Sequence, residues 1–261
     1  MAEHQSYDRS AELYDLAFSW PVDDEVSWLC ERFGASARRL LEPACGSGRM
    51  FSAFAARGRS LAGLDSSATM LSRARARMAA AGLPEPRLWR SDMASFELGV
   101  TFDGALCPIN SFGYLLSEEA AGAHLAAMAR HLRPGARYLI QLGLADMTPG
   151  AWRPSDPGPT WSAEASERRL DASWSAVAFD PERGIETQRC RLVAGHADGT
   201  VERLEELHEQ RLWSFGEWRA LIAESPFRQV AAYDGDEPGY RALPVDRGLE
   251  GRSLCWHELQ L

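Results

Sequence analysis

The chain has no lysine; all 28 of its basic residues are arginine. That absence excludes any chemistry built on a lysine Schiff base, pyridoxal phosphate binding included. It also excludes the phosphate-loop lysine and the kinase strand lysine, and with them many nucleotide-handling enzymes. Cysteine is sparse and scattered: Cys30, Cys45, Cys107, Cys190 and Cys255 show no paired spacing. A metal knuckle or disulfide framework is therefore not expected, and no metal site is assigned. No apolar run reaches bilayer-spanning length. The first residues, MAEHQSYDRSAELYD, hold no apolar signal core, so a cytoplasmic protein without membrane contact is expected. A net charge of −9 disfavours the tracking of nucleic-acid phosphates.

What is present suffices for a large packed core: 261 residues, 45% hydrophobic and 25% charged, with no repeat or low-complexity linker. Residues 9 to 33 read as two short helices broken near Pro21. Strands and helices then alternate: ARRLLEPA, a helix over 48–57, RSLAGLD, then SSATMLSRARARMAAAG with Met70, Leu71, Ala74 and Met78 on one face. PRLWRSDM and FDGALCPIN follow as strands, SEEAAGAHLAAMARHLRPG as a helix closed by Pro134-Gly135, and RYLIQLGL as the fifth strand. Such alternation implies a parallel sheet with helices on both faces. From about residue 168 to 213 the period becomes two, and turn signals mark an antiparallel meander; its third segment, VERLEELHEQRLW, also suits a helix. Residues 148–166 read as an irregular connection or lid. A helix at FGEWRALIAES and two further strands close the chain. The expected organisation is a core of residues 1–147 and 214–261 with an antiparallel insertion over 148–213.

The turn in RLLEPACGSGRMFSAFAARG has Gly46 and Gly48 at nucleotide-binding spacing, but Phe51 stands where a dinucleotide fingerprint has its third glycine. Asp65 ends the next strand, 17 residues after Gly48, where a carboxylate can accept ribose hydroxyls. Asp92 is another strand-end acid. Glu42, before the turn, would repel a phosphate and suits a ligand carrying positive charge. On the residues alone, Glu42 also suits a carboxylate bound to nearby backbone, Asp65 a helix N-terminus and Asp92 a turn.

Taken in order, LLEPACGSGRM, GLDSSATML, SDM, FDGALCPINSFGYL and HLRPGARYLIQL resemble the successive motifs of class I S-adenosylmethionine-dependent methyltransferases, over roughly residues 38–145. The resemblance implies a Rossmann-like seven-stranded sheet with an antiparallel last strand and S-adenosylmethionine as cofactor. It implies that Glu42 and the backbone of Ala44, Gly46 and Gly48 meet the methionine part, and that Asp65 binds the ribose. Ser66 or Met70 would flank the adenine, Asp92 reach its amino group and the Met93 backbone its ring nitrogen, with Cys107 nearby.

CPINSFGYL resembles small-molecule N-methyltransferases and lacks the Asn/Asp-Pro-Pro-Tyr motif of enzymes acting on amide or base nitrogens. A small-molecule acceptor is expected, an amine before a hydroxyl, and no nucleic acid. Asn110 and Tyr114 are expected on the acceptor side, since open α/β sheets bind ligands at the carboxyl ends of their strands. The segment SYDRSAELYDLAF resembles the one that folds over the cofactor, which makes Tyr7 and Tyr14 candidates for closing the site. His208 is the candidate base for a hydroxyl acceptor, although a lone strand histidine also suits a structural role, as does His257. Trp152, Trp161 and Trp174 suit either a cation-binding wall or packing of the insertion. A non-catalytic cofactor-binding subunit, with the meander as a homodimer interface, is the expectation from another class.

Overall fold

The computed structural model describes residues 11–165, 168–236 and 239–261. Tyr7 lies outside the described residues. Two helices open the fold, α1 (Ala11–Ala17) and α2 (Asp23–Phe33). The alternating unit follows: β1 (Arg39–Pro43), α3 (Phe51–Ala56), β2 (Ser60–Asp65), α4 (Ala68–Ala80), β3 (Leu88–Arg90), β4 (Phe102–Cys107), α5 (Glu118–His131) and β5 (Leu132–Leu144). Helix α4 buries the expected Met70, Leu71, Ala74 and Met78, and Ser67 caps it by accepting from Met70 N. Four antiparallel strands come next: β6 (Thr160–Ala165), β7 (Arg168–Asp180), β8 (Ile185–His196) and β9 (Val201–Arg211). Helix α6 (Phe215–Ala223), β10 (Arg228–Asp234), β11 (Ala242–Leu243) and β12 (Arg252–Gln260) complete the chain. Among the described residues no helix is long and apolar enough to cross a membrane.

The main sheet runs β11-β10-β12-β5-β4-β1-β2-β3. Strands β3, β2, β1, β4 and β5 pair in parallel, whereas β12 is antiparallel to both neighbours. This is the expected seven-stranded sheet with one added two-residue edge strand, β11. The helix closed by Pro134-Gly135 ends earlier than expected. Backbone before a proline avoids the helical region, and the chain leaves α5 at His131 directly into β5. Phe102 pairs with Leu132 and Gly104 with Arg137, so residues 133–136 bulge from the ladder.

The second sheet, β6-β7-β8-β9, corrects two expectations. The helix-capable VERLEELHEQR is strand β9, because continuous pairing with β8 from Ile185–Arg211 to Gly195–Val201 outweighs local propensity. Residues 160–165, within the expected irregular connection, form a fourth strand paired with β7. One face of this sheet, through Leu170, Ala172, Cys190, Leu192 and Ala194, packs on Leu13 and Ala17 of α1. Helix α1 is therefore held between the sheet and the glycine turn. On the turn side, Asp15 accepts from Ser47 Oγ at 2.6 Å and pairs with Arg73 at 2.8 Å and with Arg77.

Candidate active site

Phe51 stands in place of a third glycine because the turn is filled from below. It is buried beneath Gly48, and a Cβ on Gly48 would meet its ring at 3.1 Å. On the neighbouring strand, a Cβ on Gly63 would lie 2.4 Å from Cys45 Sγ and 2.9 Å from Phe51. The turn thus rests on an aromatic plug. Its backbone takes left-handed angles at Ala44 (φ 54°), Gly46 (φ 52°) and Gly48 (φ 69°), which costs a side-chain-bearing residue such as Ala44 some strain. Asp65 ties the turn to β2, accepting from Gly46 N at 2.8 Å and Ser67 N at 2.9 Å.

Above the turn lies a cavity of about 700 Å³. The carboxyl ends of β1, β2, β3 and β4 converge on it. Of the residues expected at the cofactor, Ala44, Gly46, Asp65, Ser66, Met70, Asp92 and Met93 line it; of those expected at the acceptor, Tyr14, Asn110 and Tyr114 do. Glu42, Gly48, Cys107 and His208 are not among the lining residues.

Glu42 sits directly below. It is 4% exposed, its Oε2 finds no hydrogen-bond partner, and burial pushes its carboxyl up to about 8. An orphaned buried carboxylate oxygen at the end of β1 fits a cationic group, and so fits the ammonium of a methionine moiety. Gly48 acts through the turn's shape. Cys107 is fully buried, and burial lifts its thiol to about 12. It packs below the site and has no thiolate character at neutral pH.

Asn110 is left-handed (φ 55°), as is the β-branched Ile109 beside it (φ 52°). Gln141 holds the pair, its side-chain oxygen accepting from Ile109 N at 2.8 Å and its carbonyl from Asn110 N at 3.1 Å. The Asn110 side chain donates to Gln210 Oε1 at 2.8 Å and accepts from Gly143 N at 3.2 Å. Both ends of its amide are engaged, which fixes the wall it contributes.

His208 lies beneath that wall. Its ring stacks on Trp174 at 5.2 Å, and burial lowers its pKa to about 4. It is neutral near pH 7 and weakly basic. His257 is buried in β12, bonded to Gln229 and the Leu142 carbonyl.

Opposite the cradle stand four rings, Tyr14, Phe18, Trp161 and Trp174. Tyr14 stacks on Phe18 at 4.2 Å, and Trp174 stands edge-on to Tyr14 at 6.2 Å. Phe18 meets Trp161 edge-on at 5.6 Å, and Trp161 donates its indole N–H to the Ala17 carbonyl at 2.8 Å. Of the three tryptophans read as a wall, Trp152 lies elsewhere, stacked on Phe179 and bonded to Glu186. Phe18 and Gln210 went unread in the sequence. Phe18 follows Tyr14 by one helical turn, and Gln210 follows His208 on the same face of β9, so period alone pointed to both. The lining includes Asp65, Asp92 and Glu209 and, among the described residues, no arginine or histidine.

The family described as methyltransferase domain matches residues 40–135. A dTDP-3-amino-3,4,6-trideoxy-alpha-D-glucopyranose N,N-dimethyltransferase of Streptomyces venezuelae is 27% identical over 225 residues, 84% of this chain and 90% of its own. A dTDP-3-amino-3,6-dideoxy-alpha-D-glucopyranose N,N-dimethyltransferase of Streptomyces fradiae is 29% identical over 212 residues, 78% of each. The crystal structure of Streptomyces venezuelae DesVI superposes with a TM-score of 0.74 at 23% identity, covering 95% of this chain and 97% of that one, a likeness of fold. Residues 40–135 thus form a methyltransferase domain, and the strand order and the cradle at the carboxyl ends of β1 to β4 agree with the fold of class I S-adenosylmethionine-dependent methyltransferases.

Proposed function

We propose that this enzyme N-methylates a small amine, specifically the amino group of a nucleotide-linked amino sugar, in two successive transfers. The relatives' acceptors suggest the class. The observation that carries the reading in this chain is the wall of Tyr14, Phe18, Trp161 and Trp174 facing a cradle lined by acids and by no described basic side chain.

The bound cofactor supplies an electrophilic methyl group on a sulfonium. In our reading Asp65 accepts the ribose hydroxyls, Asp92 and the Met93 backbone read the adenine edge, and Ser66 and Met70 flank its faces. Glu42 takes the ammonium below the turn shaped by Ala44, Gly46 and Gly48, and Cys107 packs beneath. Tyr14 closes the site, and Asn110, fixed by Gln210, sets the acceptor's approach.

A neutral amine attacks without a strong base, so the site needs alignment and exclusion of water. Positive charge then grows on nitrogen, where aromatic faces attract it and no lining arginine opposes it. The first transfer leaves a protonated secondary amine; once its proton is lost to solvent the nitrogen regains a lone pair and meets the same attraction, which allows the second transfer. The proposal includes a homodimer through the outer face of the antiparallel sheet, where Leu207 is 58% exposed; gel filtration tests it.

Incubation with a dTDP-linked 3-amino sugar and its 3-hydroxy counterpart, followed by mass spectrometry, tests the reaction. One and then two methyl increments on the amine alone are expected. Methylation of the hydroxyl compound alone, or of neither, would contradict the reading.

A further inference from the structure

A chain of hydrogen bonds runs behind the ring wall. Trp152 Nε1 donates to Glu186 Oε1 at 2.7 Å, Gln188 Nε2 donates to Glu186 Oε2 at 2.6 Å, and Trp174 Nε1 donates to Gln188 Oε1 at 2.5 Å. Glu186 and Gln188 are two residues apart on β8 and so share a face of the sheet. Gln188 and Trp174 line the cavity, whereas Glu186 is buried, 8% exposed, outside its lining.

An indole N–H can only donate, and a carboxylate can only accept. Gln188, held between the two, therefore has one amide orientation, oxygen towards Trp174 and nitrogen towards Glu186. Both donors on Glu186 are neutral, and among the described residues no arginine or histidine pairs with it. A buried carboxylate without a cation is costly. We propose that Glu186 and Gln188 are positioning residues of the ring wall: through the Gln188 amide, the buried carboxylate holds the Trp174 ring in place and strengthens its attraction for positive charge at the point of methyl transfer. The inference rests on the ring wall of the proposed function and is independent of the acceptor's identity.

The chemistry of the chain fits that role. Hydrogen bonds in series polarise one another, so an indole whose N–H chain ends on a carboxylate keeps a more electron-rich face, and that face is what meets a cation. The His208 ring stacks on Trp174 at 5.2 Å, so a stack and a hydrogen bond together fix the plane of the indole. The competing role for Glu186 is a strut that tethers Trp152, itself stacked on Phe179, to the sheet. A strut is indifferent to charge in the cavity.

Calorimetry at pH 7 separates the two without any acceptor. The protein is titrated with S-adenosylhomocysteine and with sinefungin, whose ammonium stands where the transferred methyl would. Glu186→Gln should weaken sinefungin about fivefold or more while leaving S-adenosylhomocysteine within about twofold, which also reports an intact cradle. Gln188→Leu should do the same. In a Trp174→Phe background, which keeps a ring and removes the N–H, Glu186→Gln should change sinefungin affinity by less than about twofold. Equal weakening of both ligands by Glu186→Gln marks the strut and overturns the proposal. So does an unchanged preference for sinefungin, or an effect of Glu186→Gln that survives in full beside Trp174→Phe. A wild type that binds neither ligand removes the cofactor assignment and this inference with it, whereas failure to methylate an amine sugar removes only the acceptor.

Discussion

The two walls of the cavity are made from different material. The cradle consists of backbone turns and carboxylates at the ends of parallel strands, with Asp65 tied to Gly46 and Ser67. The facing wall consists of rings and amides carried by α1 and the antiparallel sheet. The cradle is polar, anionic and fixed by hydrogen bonds within one sheet. The wall depends on a helix held between two elements, by Asp15 on the turn side and by Leu13 and Ala17 on the sheet side. In the proposed function these walls take separate tasks, the cradle holding the nucleoside and the rings selecting the acceptor.

Breaking the cradle alone should have the largest effect. Asp65→Ala removes the carboxylate that braces the turn and that we propose accepts the ribose hydroxyls. S-adenosylhomocysteine affinity measured by calorimetry should fall about a hundredfold or more, the loss of two charge-assisted hydrogen bonds. Acceptor KM at saturating cofactor should change little. Undiminished affinity would remove the ribose role.

Breaking the wall alone should do the reverse. Trp174→Ala removes a ring worth about 1–2 kcal/mol to a desolvated cation. The amine's KM should rise roughly tenfold, with cofactor affinity unchanged. Parallel loss of both affinities would show that the wall is part of the cradle.

The comparison sharpens with pH. Burial lifts Glu42 from 4.5 to about 8, so the folded, ligand-free protein holds this proton more tightly than the unfolded chain. Stability should therefore fall as pH rises from about 4.5 towards about 8. An ammonium at Glu42 favours ionisation, so binding of S-adenosylhomocysteine near pH 7 should release protons, measured by calorimetry in buffers of different ionisation enthalpy. Glu42→Gln should abolish that release. Proton-neutral binding by the wild type would contradict the assignment.

The smallest effect is expected from His208. With a pKa near 4 it is neutral throughout an assay from pH 6 to 9, so His208→Gln should preserve the shape of the pH–rate profile and slow turnover only by loosening Trp174. Loss of a limb near neutrality would restore it as a base.

The same division explains what could be read from the chain. Glycines, strand-end acids and 3.6-residue periodicity are local signals, and they located Gly46, Asp65, Asp92 and the buried face of α4. The wall left weaker traces. Tyr14 reads either as a residue closing the site or as part of an apolar helix face, Phe18 went unread, and which tryptophans reach the cavity depends on the path of residues 148–160, which local sequence does not encode. Trp161 and Trp174 reach the cavity; Trp152 packs on Phe179. Strand β9 was ambiguous because glutamate and leucine favour helix, and pairing with β8 decided it. His208 illustrates the limit of residue type: a histidine in the right segment is placed one layer below the site by a stacking partner distant in sequence.

The division of the cavity is tested most directly by a crystal structure of the complex with S-adenosylhomocysteine. The account predicts the ribose on Asp65, the adenine beside Asp92 and Met93, and the sulfur pointing across open space at Trp174 and Tyr14. A nucleoside lying along the ring wall, or one whose sulfur faces away from it, would contradict the account.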